Sequence, residues 1–197
     1  MDIYTINTNY INYLKKTNPQ VQDNEKENGN IRPYVGILFS INTFNYFVPL
    51  SSPKDSDYLL INNEKVIRKS IVPIHRIIIK SISEKDGQAI EEINFLGKLL
   101  FSKMIPVPSS ELELINIDSW PNEKHKNIFI NQLRYLRKNE IKLKKQHAAL
   151  IYKQKTTNQN IKYLEFTLDF KLLEIMSLEY NTPLVNKEID ELTAITK

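Results

Sequence analysis

The stretch Tyr46-Phe47-Val48-Pro49-Leu50-Ser51-Ser52-Pro53-Lys54 runs from an apolar strand into two hydroxyls, a rigid proline and one amine. Proline has a fixed φ and no N–H, so the strand must stop at Pro53 and the loop keeps its shape. Hydroxyls can donate hydrogen bonds to the nonbridging oxygens of a phosphate, and the amine can neutralise its charge. This is chemistry for a phosphodiester. RNA supplies its own nucleophile, the 2′-hydroxyl. An enzyme needs only to align that attack, move protons and stabilise the charged phosphorane. Lys54 is the strongest catalytic candidate, as a counter-charge or as a proton donor or acceptor. Ser51 and Ser52 would hold the phosphate, although serines here also serve as ordinary turn residues.

Other residues carry weaker signals. Tyr10 could place a phosphate or stack on a base, but a tyrosine on an amphipathic helix is more often core. His75 has the side chain whose pKa lies nearest neutrality, yet a strand histidine is commonly structural. His147 falls in an apolar stripe and reads as packing. His125, in a basic segment, could touch phosphate or simply face water. The sequence holds no His-Glu-x-x-His motif, no Asp-rich loop and no phosphate-cradling glycine run among its four glycines. No Ser/His/Asp arrangement is readable, so a nucleophilic serine is disfavoured. No metal site and no cofactor are expected.

Charge distribution points to a polyanion. Residues 121–155 carry ten Lys or Arg against two acids, a net +8 in a chain whose total is +4, so the remainder is net −4. A solvated helix face would give the same count. The absence of cysteine excludes disulfides and thiolate chemistry and suits a reducing cytoplasm. No signal peptide and no apolar run of membrane-spanning length is apparent.

The pattern of elements places these residues. Ile3 to Ile6 reads as a strand, then Asn7 or Thr8 as an N-cap for a helix from Asn9 to Lys16. Residues 17–31 form a polar loop. Tyr34 to Ser40 and Phe44 to Leu50 are strands at hairpin spacing, and a lid-like loop runs from Ser51 to about Tyr58. A short element precedes Pro73, a strand follows from Ile74 to Ile82, and Asp86-Gly87 is a turn. Further strands are predicted at Gln88 to Asn94, Gly97 to Lys103 and Glu111 to Ile115. From Asn122 a helix puts Phe129, Leu133, Leu136, Leu143, His147 and Leu150 on one face, either unbroken to about Lys155 or broken near Asn139. Arg134, Lys138, Lys142 and Lys145 lie opposite as an RNA-binding stripe. Asp169 to Glu179 is a last helix with Phe170, Leu173 and Met176 inward. Strands grouped before helices predict an α+β fold with a curled antiparallel sheet. One domain spans 1–180, mostly strands to 120 and a helical layer from 121, with a tail over 181–197.

In this order, several pieces resemble one family. They are Ile3-Tyr4-Thr5-Ile6 with Tyr10-Ile11 and Tyr13-Leu14, Arg32-Pro33-Tyr34-Val35-Gly36-Ile37, and the 45–54 block. Met104-Ile105-Pro106-Val107-Pro108, Asn131-Gln132-Leu133-Arg134-Tyr135-Leu136-Arg137 and the helix from Phe170 to Tyr180 complete the set. The chain is similar to the endoribonuclease toxins of type III toxin–antitoxin systems, the ToxN/AbiQ family. The resemblance implies a barrel-like antiparallel sheet surrounded by helices. It also implies metal-independent cleavage of RNA to 2′,3′-cyclic phosphate and 5′-hydroxyl ends. The implied partner is a repeated RNA pseudoknot antitoxin in a closed protein–RNA assembly, within abortive phage defence. Carried over, Tyr10, Ser51, Ser52 and Lys54 fall on the family's active-site positions. Arg32 and Tyr34 lie near the same groove, and Arg137 joins the RNA-binding candidates. The 58–88 segment matches only loosely.

The expectation is therefore a cytoplasmic endoribonuclease toxin acting on cellular or phage RNA, with no membrane partner. The alternative is a non-catalytic RNA-binding protein using the basic helix of 121–155. A protein-interaction module is a third reading, and it would lack salt-dependent RNA affinity.

Overall fold

The computed structural model describes residues 1–24, 32–41, 43–85, 88–120 and 122–180. The predicted Asp86-Gly87 turn, part of the 17–31 loop and the 181–197 tail lie outside the described residues. The strands are β1 (Ile3–Ile6), β2 (Tyr34–Ile41), β3 (Phe44–Ser51), β4 (Tyr58–Ile61), β5 (Glu64–Ile67), β6 (Ile74–Lys85), β7 (Gln88–Leu100), β8 (Ile105–Pro106) and β9 (Leu112–Leu114). Seven of them build one antiparallel sheet in the order β6-β7-β3-β2-β1-β9, with β8 alongside β3. The path does not close, and β6 and β9 are its edges. The α+β class and the barrel-like antiparallel sheet of the sequence reading hold.

Helix α1 (Thr8–Thr17) starts where the Asn7 side chain accepts the Asn9 N–H, and buries Tyr10, Ile11 and Leu14 against the sheet. The helical layer comprises α2 (Glu123–Lys138), α3 (Glu140–Leu143), a π-helical turn (Lys144–Ala149) and α4 (Leu150–Thr156). Of the two expectations for this stretch, the break near Asn139 is the one observed: Asn139 caps α2 with a non-helical backbone. The π turn shifts the phase again and carries His147 inward. Residues 170–180 are helical and bury Phe170, Leu173 and Met176 as expected. No helix among the described residues is long and apolar enough to cross a membrane.

Two expectations change. The strands predicted over 88–94 and 97–103 are one strand, β7, ending in a 3-10 turn at Phe101–Lys103. Gly97 does not break it. With φ of +145° it makes a bulge opposite Ile77/Ile78, and a Cβ there would lie 2.9 Å from the Ser51 carbonyl oxygen. Glycine thus lets β7 run close against the end of β3. The loosely matching segment after Tyr58 holds an unanticipated hairpin, β4–β5, turned by Asn62 and Asn63 with φ of 51° and 63°.

Candidate functional site

Antiparallel pairing sets Ser51 opposite Lys98 and Lys98 opposite Arg76, so a hydroxyl, an amine and a guanidinium stand in one row across β3, β7 and β6. Residues paired in register share a sheet face. All three are buried, and two buried cations need an anion. Asp57 provides it. Its carboxylate accepts from Arg76 Nη2 at 3.0 Å and closely from Lys98 Nζ, and is itself only 2% exposed. Burial raises the Asp57 pKa, but hydrogen bonds from Lys98, the Lys54 N–H and Arg76 outweigh it and hold the carboxyl below its usual range. Arg76 also donates from Nη1 to the Lys69 carbonyl at 2.7 Å.

The same carboxylate accepts the Lys54 backbone N–H at 3.0 Å, and the Asp57 N–H returns to the Lys54 carbonyl at 2.9 Å. Ser52, Pro53 and Lys54 are therefore an exposed loop fastened at both sides, by the end of β3 and by a buried ion-pair triad. Ser51 is buried, and its hydroxyl reaches the Ser52 carbonyl at 3.4 Å. Such a loop can present a hydroxyl and an ammonium to a phosphodiester without moving on binding, which lowers the ordering cost. Pattern reading missed Asp57, Lys98 and Arg76. The available signal was an acid close to Lys54 in sequence, but Asp55 is as near as Asp57 and is exposed, paired with Lys65 at the surface.

The remaining predicted residues sit apart. Tyr10 is wholly buried in α1, and its hydroxyl donates to the Pro106 carbonyl at 2.7 Å. Burial raises its pKa strongly, so in this conformation the phenol belongs to the core rather than to an open surface. Tyr34 is likewise buried in β2 with its pKa raised by burial. Arg32 donates from Nε to the Asp23 carbonyl at 2.8 Å. Arg137 is pinned to Asp2 at 2.7 Å. Arg134, Lys138, Lys142 and Lys145 are exposed and make no ion pair among the described residues. Lys138, Lys142 and Lys145 border a depression of about 440 Å³ around the Asn139 break.

His75 and His147, remote in sequence, meet. His75 Nδ1 lies 3.0 Å from His147 Nε2, His75 Nε2 lies 2.9 Å from the Tyr135 hydroxyl, and His147 Nδ1 lies 3.0 Å from the Val72 carbonyl. Phe101 stacks on His147 at 5.0 Å. Burial, then the neighbouring His147 and Lys142 charges, push the His75 pKa down to about 4. Burial also lowers that of His147.

The chain matches the family model described as toxin ToxN of type III toxin–antitoxin systems over residues 2–177. It is 32% identical to endoribonuclease AbiQ of Lactococcus lactis subsp. lactis over 179 residues, covering 90% of this chain and 88% of the relative. It is 30% identical to endoribonuclease ToxN of Bacillus thuringiensis subsp. kurstaki over 195 residues, covering 95% and 88%. Among solved structures it is similar to AbiQ, a lactococcal anti-phage endoribonuclease of the type III class. That match has a TM-score of 0.68 and 27% identity, covering 92% of this chain and 98% of the other. A structure concerned with selective toxin inhibition by a non-coding RNA pseudoknot matches with a TM-score of 0.65 and 28% identity, covering 91% and 96%. With the family model spanning nearly the whole described chain and relatives of 30–32% identity covered over most of their length, the chain belongs to the ToxN family of type III toxin–antitoxin toxins.

Proposed function

We propose that this protein is an endoribonuclease toxin whose reaction occurs at the Ser51–Lys54 loop, inside a single domain spanning 1–180, in the cytoplasm. The carrying observation is the loop itself, with Ser52 and Lys54 exposed and their backbone fixed by the buried Asp57. The 2′-oxygen of a bound ribonucleotide attacks the adjacent phosphorus and loses its proton. The bond from phosphorus to the 5′-oxygen breaks, and that oxygen gains a proton. The products are a 2′,3′-cyclic phosphate and a 5′-hydroxyl. The Ser52 hydroxyl donates to a nonbridging oxygen, and the Lys54 ammonium offsets the charge of the phosphorane. No step requires a metal ion. Lys98 and Arg76, two cations on one carboxylate, supply positive potential from beneath, and Ser51 contributes the second hydroxyl beside the phosphate. Tyr10, carried over as an active-site position by the resemblance, is held in the core with its hydroxyl on the Pro106 carbonyl of β8.

Relatives are named endoribonucleases, and one structural neighbour concerns inhibition by an RNA pseudoknot. By family, we assign this chain a repeated pseudoknot RNA antitoxin in a closed assembly, cellular or phage RNA as substrate, and a role in abortive phage defence. The exposed cations of the helical layer, Arg134, Lys138, Lys142 and Lys145, would meet antitoxin phosphates. The test is Lys54→Ala, assayed for cleavage of a model RNA and for thermal melting. A folded variant without cleavage is expected; a folded variant with near wild-type cleavage would remove Lys54 from the reaction.

A further inference from the structure

A cavity of about 780 Å³ opens where edge strand β6 meets the helical layer, and Val72, His75, Tyr135, Gln146, His147 and Tyr163 line it. Its hydrogen-bond polarity follows from one backbone atom. The Val72 carbonyl can only accept, so His147 Nδ1 carries the proton between them. In a neutral imidazole Nε2 then accepts, so His75 Nδ1 carries the next proton. His75 Nε2 in turn accepts, and the Tyr135 hydroxyl must donate to it. The single phenolic proton is consumed inside the wall, leaving Tyr135 Oη with lone pairs only.

Other lining groups have the opposite character. Lys142 is exposed and can only donate. Arg76 borders the same cavity, but its guanidinium is nine-tenths buried and its Nη donors are taken by the Lys69 carbonyl and Asp57. Ser70 Oγ accepts the Arg76 N–H at 2.8 Å, so its own hydrogen is available. Gln146 is exposed and offers both characters. A fitting ligand brings an anionic group for the donors, a flat ring for the tyrosines, and a donor hydrogen for Tyr135.

We propose that this cavity binds one unstacked RNA nucleotide whose base carries an exocyclic amino group. The phosphate lies at Lys142 and Ser70, and the amine donates to Tyr135 Oη. The cavity is a second contact, separate from the Ser51–Lys54 loop, and the proposal rests on the reading that the protein handles RNA. Uracil can offer only its N3–H, flanked by two carbonyls whose lone pairs oppose those of Tyr135, and is disfavoured.

The test is binding of cytidine 5′-monophosphate and uridine 5′-monophosphate, which share a size and differ in the 4-amine-for-carbonyl exchange and the accompanying change of N3 from acceptor to donor. Short 2′-O-methylated oligocytidylate and oligouridylate, which cannot be cleaved by 2′-attack, form a second arm. NMR ring-proton signals of the three histidines report the location. Cytidylate should shift His75 and His147 but not His125, and bind about five-fold tighter than uridylate, the worth of one hydrogen bond. The oligonucleotides should repeat the preference. Gln146→Leu, on an exposed position, should weaken both ligands, and Tyr135→Phe should erase the preference while melting reports its fold. Unmoved His75 and His147 signals, equal binding of the two nucleotides, or an equal response to inorganic phosphate would overturn the proposal. Binding of mononucleotides without the oligonucleotides would overturn its RNA part. Cleavage of a model RNA, run in parallel, separates these results from the ribonuclease reading: cavity binding without any cleavage would contradict that reading alone.

Discussion

Replacing Asp57 with Asn removes a charge while keeping size and shape. Asp57 compensates two buried cations, Arg76 and Lys98, and holds the Lys54 backbone. Removing one partner of a buried pair and stranding the other typically costs about 3–5 kcal/mol. For a chain of this length each kcal/mol lowers the Tm by about 2–4 °C, so a fall of roughly 10 °C is expected. Asp55 is the internal control, two residues away and 95% exposed on the side chain. Asp55→Asn should leave melting and cleavage unchanged, because a solvated pair gains little. Asp57→Asn should also slow RNA cleavage below its melting temperature, since the Lys54 loop loses its anchor. The assay is thermal unfolding beside single-turnover cleavage. A variant that melts within about 2 °C of wild type, a shift worth under about 1 kcal/mol, and cleaves normally would refute the anchoring role.

Gly97→Ala should reduce cleavage and stability together, because its Cβ would press on the Ser51 carbonyl at 2.9 Å from a left-handed backbone; unchanged kinetics would show that β7 yields there without moving the loop. Changing Arg134, Lys138, Lys142 and Lys145 to Gln should weaken RNA-antitoxin binding and flatten its salt dependence, each lost phosphate contact removing about one unit of slope, while cleavage of a short single strand changes less. An unaltered slope would reduce the stripe to a solvated face. His75 has a folded pKa near 4, below its ordinary 6.5, so the unfolded chain binds more protons between those values. Its stabilisation is complete above pH 6.5 and is lost as pH falls toward 4, by up to about 3 kcal/mol. Melting from pH 7 to 4.5 should show this decline, blunted in His75→Gln, and a flat profile would contradict it. Asp57, whose pKa is lowered from 3.8, acts in the same direction at still lower pH.

The edge-to-edge logic of the fold was legible where local chemistry decides it. β3 stops at Ser51 just ahead of Pro53, Asn7 caps α1, and apolar spacing marks the helical layer. The break at Asn139 was one of two readings, because a single non-helical residue there leaves the apolar spacing on either side of it intact. Gly97 misled because a glycine in a strand reads as punctuation, whereas its reason is the passing Ser51 carbonyl. The β4–β5 hairpin was readable in Asn62-Asn63 between two apolar runs but lacked the glycine that makes such turns conspicuous. Within the site, Ser52 and Lys54 are surface residues on a rigid loop, and short-range pattern finds such loops. Asp57, Arg76 and Lys98 come from three separate segments, and only strand register aligns them. The pairing of His75 with His147 across 72 positions was equally invisible for the same reason. Tyr10 could be placed on a helix from sequence, but not its hydroxyl on Pro106.

The central claim, metal-independent attack by the 2′-hydroxyl at the Ser51–Lys54 loop, is tested most directly by end-group analysis. A defined RNA and the same RNA with one 2′-deoxy nucleotide at the cleavage position are incubated with the protein in excess EDTA. The first should be cut to 2′,3′-cyclic phosphate and 5′-hydroxyl ends, with no cutting at the deoxy position and neither product with Lys54→Ala. Cleavage at the deoxy position, 5′-phosphate ends, or activity that disappears in EDTA and returns with a divalent ion would contradict the claim.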